Sequence, residues 1–235
     1  MLRLGLSTHN EKVKAVLELE RPRKVSQLQM FLGMLVYFSA FIPHYATICS
    51  PLFQLLRKGA KWEWTSDQER AFEDGKKALA SSLVLAHPER GRPYRLYTDA
   101  SDKALGCALQ QVQHIRAQDL KGTKAYEKLK VEYEAGHPLP RLVTQLPSKL
   151  STETGNSTTS WGSTLDDMDV EVERVITYWS RTLKEVERRY STTEREALAA
   201  KEGLVKFQPF IEGEKVTLVT DHTALQWAKT YENSN

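Results

Sequence analysis

From Val25 to Ile42 the chain sets Leu28, Phe31, Leu32, Leu35 and Phe38 on one helical stripe, with Pro43 placed to end it. This predicts a helix buried along one face. A second short apolar helix follows in TICSPLFQLLRKG and ends near Gly59. A third opens at Ser66, with Glu69 at capping-box spacing ahead of Ala71, Phe72 and Leu79. Residues 11–82 therefore read as helical. The rhythm then changes. Tyr94 to Thr98 is strand-type, 104–112 (ALGCALQQV) can return beside it, and 174–180 (RVITYWS) is a third strand, which together make a meander with a long interruption at about 113–173. Inside the interruption, KAYEKLKVEYEAG predicts a surface helix. SKLSTETGNSTTSWGST is about three-fifths Ser and Thr, has too little apolar content to pack, and reads as the mobile tip of an insertion. The acidic run 165–173 (LDDMDVEVE) lacks the glycine turn of a calcium loop and reads as a solvated face. Next come a helix from about Ser191, a turn at Glu212-Gly213, the strand KVTLVT and the start of another helix at His222. Strands alternating with helices in this way give an α/β fold.

Composition narrows the picture only slightly. A chain of 235 residues with 40% hydrophobic content fills one large domain or two small ones. The 33 basic and 30 acidic residues leave a net charge of +3, too little to imply a nucleic-acid partner by bulk attraction. Cys49 and Cys107 have no metal-ligand spacing, which argues against a zinc site or disulfide framework. No apolar run reaches bilayer length and the start lacks a signal peptide's apolar core, so the expectation is a cytoplasmic or nuclear protein with no membrane partner.

The chemistry gathers at strand ends. YRLYTDAS runs a strand into Asp99, and KVTLVTD runs another into Asp221. If those strands are neighbours, the two carboxylates meet at one edge of the sheet, where a divalent cation would relieve their repulsion. A third acid can come from the helix between them, because Glu196 lies on the stripe of Ala200, Gly203 and Phe207. Each has an ordinary alternative. Asp99 can serve a turn and Asp221 can cap the following helix. Ser191 with Glu194 and Thr193 with Glu196 both satisfy capping-box spacing, and periodicity alone does not separate the two glutamates. His114, His137 and His222 stand alone and fit surface or packing roles.

Nearly the whole chain resembles one family. KVSQLQMFLGMLVYFSAFIPHYATICSPLFQLLRKGAKWEWTSDQERAFEDGKKAL is similar to the thumb-to-connection stretch of reverse transcriptases from gypsy-type long-terminal-repeat retrotransposons. YRLYTDASDKALGCALQQ, VITYWSRTLKEVERRYSTTEREALAAKEGLVKF and VTLVTDHTALQW are similar to the ribonuclease H domain that follows it. The resemblance implies an α/β, ribonuclease H-like mixed five-stranded sheet with flanking helices, preceded by an α-helical segment. It divides the chain into a palm end at 1–24, a helical thumb or connection at 25–90, and a ribonuclease H-like domain at 91–235 with its insertion at about 113–173.

The resemblance also implies a mechanism. In the family, four acids bind two Mg2+ ions (Mn2+ can substitute) and cut the RNA strand of an RNA:DNA hybrid. Asp99 matches the first-strand acid, Glu196 the helix glutamate, which breaks the tie with Glu194, and Asp221 the fourth-strand acid. The fourth acid, the last strand and the final helix are expected beyond residue 235, and the polymerase's catalytic aspartates upstream of residue 1. Implied partners are the hybrid and the rest of the Pol polyprotein, with polymerase upstream and integrase downstream, in some cases within virus-like particles. Arg181, Lys184, Arg188 and Arg189 could line a phosphate track, with a solvated helix face as the alternative. Trp62 and Trp64 are expected to pack the helices. The rival reading is an inactive relic whose fold serves as a structural or interaction module.

Overall fold

Three helices carry the apolar stripes of the first third of the chain. In the computed structural model, which describes residues 16–80, 85–122, 124–137, 142–143 and 165–221, they are α1 (Val25–Tyr37), α2 (Tyr45–Gln54) and α3 (Ser66–Ala80). Helix α1 stops before Pro43 can act on it. Phe38 N–H bonds to the Leu35 carbonyl at 3.1 Å, and Ser39–Phe41 continue as a 3-10 turn, so tightening of the last turn ends the helix. The cap of α3 also lies one residue earlier than the Ser66/Glu69 spacing predicts. Thr65 Oγ1 accepts the Asp67 N–H at 3.3 Å and Thr65 N–H donates to Gln68 Oε1 at 3.1 Å, while Glu69 is taken up by Trp64 Nε1 at 2.6 Å. Leu28, Phe31, Leu32, Leu35, Ile42, Cys49, Leu52, Phe72 and Leu79 fill the core of this unit, with Phe31 and Phe72 rings 4.6 Å apart. Burying each of these large side chains contributes roughly 1.5–3 kcal/mol. Trp62 and Trp64 pack against the same core, as expected.

The sheet is built on β1 (Tyr94–Ala100) and β2 (Ala104–Arg116), followed by helix α4 (Lys124–Glu134) and the two-residue β3 (Leu142–Val143). Then come β4 (Asp169–Thr182), helix α5 (Thr192–Ile211) and β5 (Val216–Val219). Its order is β3-β4-β2-β1-β5. β2 is antiparallel to both β1 and β4, whereas β5 runs parallel to β1 and β3 parallel to β4. The sheet is therefore mixed and five-stranded, but Leu142–Val143, from inside the interruption, supplies one of the five strands.

Three expectations change here. β2 continues to Arg116 and β4 begins at Asp169, so both flanks of the predicted 113–173 interruption are paired strand. The acidic run 165–173 is not a solvated face: Val170, Val172 and Glu173 are buried. Its valines alternate with its acids at the period of a strand, and Glu173 finds nonlocal partners on β1 in Arg95 (2.9 Å) and Tyr97 Oη (2.6 Å). The helix expected at KAYEKLKVEYEAG is present as α4, but its Leu129 is fully buried with Leu120, Leu165 and Val172 in a small core of its own. The Ser/Thr-rich stretch 148–164 and the helix expected from His222 lie outside the described residues.

Strand alternation gives the sheet two working faces. Leu96, Cys107 and Leu109 turn toward α5, whose Gly203 comes so close that a Cβ there would stand 2.9 Å from Cys107 Sγ. The other face receives the helical unit: Ala46 N–H, at the start of α2, donates to Ser180 Oγ on β4 at 2.8 Å. The sheet is thus held between α5 and α2.

Candidate functional site

Parallel pairing of β1 with β5 decides where the strand-end acids go. The paired register runs from Tyr94 with Val216 to Tyr97 with Val219; Asp99 lies two residues further on, still in β1, and Asp221 two residues further on, in the bend that follows β5. Both acids therefore fall toward the same end of the sheet. Both are exposed.

Glu196 reaches the same end from α5. It is 4% exposed, and its Oε1 accepts the Ala100 N–H at 3.1 Å, so it is tied to the residue after Asp99. The competing glutamate has a different task. Glu194 N–H donates to Ser191 Oγ at 3.3 Å and Ser191 N–H returns to Glu194 Oε2 at 2.7 Å, a complete capping box. Bonds from the Ser191 backbone and hydroxyl hold the Glu194 carboxyl below its usual range.

Negative charge accumulates around this end. Cys107, beneath α5, donates its thiol to the Ala199 carbonyl at 3.3 Å. Its pKa is pushed up to about 12, first by burial and then by the charges of Glu202, Glu196 and Asp99. Glu202 was not singled out in the sequence because its partner is distant: it accepts from Arg181 at 3.3 Å. Arg181 also forms a two-pronged pair with Glu187, at 2.6 and 3.0 Å, which holds the Glu187 carboxyl below its usual range. Arg181 is therefore engaged by two carboxylates, while Lys184, Arg188 and Arg189 are exposed.

One neighbour of Asp99 escaped sequence reasoning altogether. His44, the residue before α2, places Nδ1 3.8 Å from Asp99 Oδ2 and lies over Gly106, which pairs with Asp99 across the β1/β2 ladder. No local signal marks it, because the contact spans 55 positions. His114 and His137 instead sit beside Glu171 (3.4 Å) and Glu132 (2.9 Å), away from the acids.

The donor set suits a hard cation, since carboxylate oxygens are the preferred ligands of Mg2+ and Mn2+. Among the described residues, however, no three His, Cys, Asp or Glu side chains form a group that could hold a metal ion. Alternation explains the openness. Asp99 turns to the α2 face, against His44, and Glu196 approaches from the α5 face.

Two family models, each described as an RNase H-like domain found in reverse transcriptase, match residues 64–120 and 146–235. The Tf2-3 and Tf2-4 transposon polyproteins of Schizosaccharomyces pombe are 37% identical over 107 residues, 46% of this chain. The chain spans about 8% of the length of these relatives. Among solved structures, the foamy viral protease-reverse transcriptase superimposes with a TM-score of 0.62 at 16% identity, both as its dRH form in complex with double-stranded DNA and in complex with an RNA/DNA hybrid. Each match covers 97% of this chain, and 31% and 24% of those chains. At that identity the likeness is one of fold. The two family matches, which together span most of the chain, and the transposon polyprotein relatives agree: the chain belongs with the RNase H-like domains of reverse transcriptases, as a segment of the long-terminal-repeat retrotransposon Pol type.

Proposed function

We propose that this segment is a ribonuclease H that hydrolyses the RNA strand of RNA:DNA hybrids during reverse transcription. The observation that carries the reading is the parallel β1/β5 pairing, which leads Asp99 and, just past β5, Asp221 toward the end of the sheet where Glu196 is anchored on Ala100. Neighbouring strands lie about 4.8 Å apart, so two such carboxylates repel each other unless a cation lies between them. Asp99, Asp221 and Glu196 would hold Mg2+ or Mn2+. When bound, two such ions supply activation of a water and stabilisation of the leaving oxygen. The chain's own contribution is rigid placement. Glu196 is fixed by the Ala100 N–H and by burial, Asp99 by its pairing with Gly106, and Asp221 follows directly from the strand paired with β1.

A hybrid duplex is read through groove shape, 2′-hydroxyls and phosphates, so little sequence preference is expected. Arg188 and Arg189 are exposed and are the better candidates for phosphate contacts, whereas Lys184, also exposed, shares Glu187 with Arg181 through its backbone N–H and its charge. The other partners in this reading are the polymerase upstream and the integrase downstream in the polyprotein, working in the cytoplasm or nucleus or inside virus-like particles. The polyprotein relatives and the fold shared with a reverse transcriptase held on a hybrid support it. A second reading, an inactive module that keeps the fold as a spacer or interaction surface, draws on the absence of a three-ligand group among the described residues.

Cleavage of a labelled RNA:DNA hybrid with and without Mg2+ separates them. The expected result is Mg2+-dependent cutting that falls at least about a hundredfold in each of Asp99→Asn, Glu196→Gln and Asp221→Asn. A folded wild-type chain that does not cut would favour the second reading.

A further inference from the structure

The helical unit contributes a residue to the acid end of the sheet. His44 has φ 54° and ψ 27°, the left-handed region, and is the non-glycine residue with positive φ among those described. Such backbone is uncommon outside glycine and is retained where the surroundings require it. Capping does not explain it. The His44 carbonyl accepts from Thr47 and Ile48 at 2.9 and 3.1 Å, but its side chain makes no cap bond to the helix. The ring instead extends over Gly106, where no side chain intervenes, to Asp99 Oδ2 at 3.8 Å. The bond from Ala46 N–H to Ser180 Oγ fixes the start of α2 to the strand two ladders away, which sets where the ring can go.

We propose that His44 is a positioning residue for Asp99: its ring, close to one carboxylate oxygen but beyond hydrogen-bond length, walls off the α2 face, limits where the carboxylate can swing and leaves the other oxygen turned toward the cation. The proposal rests on the reading of Asp99 as a metal ligand. Groups that orient a ligating carboxylate commonly matter tenfold or more for metal affinity. Asp99 needs such a group more than Glu196 does, because it is exposed where Glu196 is buried and bonded to backbone.

The left-handed backbone provides a clean test. His44→Gly removes the ring while keeping a residue at ease at positive φ, and His44→Asn keeps that backbone together with a short polar side chain. Mn2+ binding to the full 235-residue chain would be followed by electron paramagnetic resonance, with circular dichroism as the check on folding. The expected result is about three- to tenfold weaker binding in His44→Gly, partial recovery in His44→Asn, and the greatest loss in Asp99→Asn. Unchanged or tighter binding in His44→Gly, with Asp99→Asn still weakened, overturns the positioning role alone. Unchanged binding in Asp99→Asn overturns the ligand reading and the proposal together, as does a folded wild-type chain that binds no Mn2+.

Discussion

Burial sets the behaviour of both thiols. Cys107 and Cys49 each have a pKa pushed up to about 12, Cys107 by burial and nearby carboxylates and Cys49 chiefly by burial. The ordinary value is 9.0, so the unfolded chain ionises first. The unfolded state then binds fewer protons than the folded one, and stability falls as pH rises. This contribution is full below pH 9 and is lost toward pH 12. Native protein at pH 8 should leave both thiols unreacted with a disulfide reagent until urea opens the fold; rapid labelling of either thiol in the native state would contradict the burial described. Single residues also show how far sequence reaches. Asp99 and Asp221 stand out as candidates in the sequence because each follows a strand pattern, whereas Glu196 is told from Glu194 only by the family resemblance. Arg181 reads in the sequence only as a phosphate contact and His44 not at all, because the carboxylates they meet (Glu187 and Glu202, and Asp99) are set by the folded chain.

At the scale of elements, the seat of α5 on the sheet depends on an absent side chain. A Cβ at Gly203 would meet Cys107 Sγ at 2.9 Å and two Leu96 methyls at 3.2 and 3.3 Å. At Gly75, in α3, the single close atom is the end of Leu35, also at 2.9 Å. A leucine methyl can swing aside more readily than a cysteine held by its bond to Ala199. Gly203→Ala should therefore destabilise by about 1 kcal/mol, overpacking exceeding the gain in helix propensity, whereas Gly75→Ala should be neutral or stabilising by up to about 1 kcal/mol. Urea midpoints compare the two, and equal shifts would remove the distinction. The stripe of Glu196, Ala200, Gly203 and Phe207 was readable as the sheet-facing side of a helix and is buried as such. The DVEVE alternation, by contrast, looks the same on a surface strand as on a covered one. Only the arrival of Arg95, Tyr97 and α4 decides between them.

For the whole molecule, the two ends of the sheet are distinct places. β2 and β4 run past the end of β1, from Val112 with Glu173 to Arg116 with Asp169, and form an arm with the small α4 core. Gly106, beside Asp99, and Arg116 are ten positions apart on one strand, about 33 Å at 3.3 Å per residue. Leu129→Ala, which empties part of the α4 core, should therefore leave Mn2+ affinity within about twofold of wild type while destabilising the fold by about 2–5 kcal/mol. A titration and a melt check this, and a tenfold loss of affinity would show that the arm and the acid end communicate. For a mobile genetic element this geometry has a historical consequence. Copying errors that rewrite the arm around Arg116 and Asp169 fall about 33 Å along β2 from Gly106 and its neighbour Asp99, so descendants can diverge there while the acid end is held to a narrower range of change.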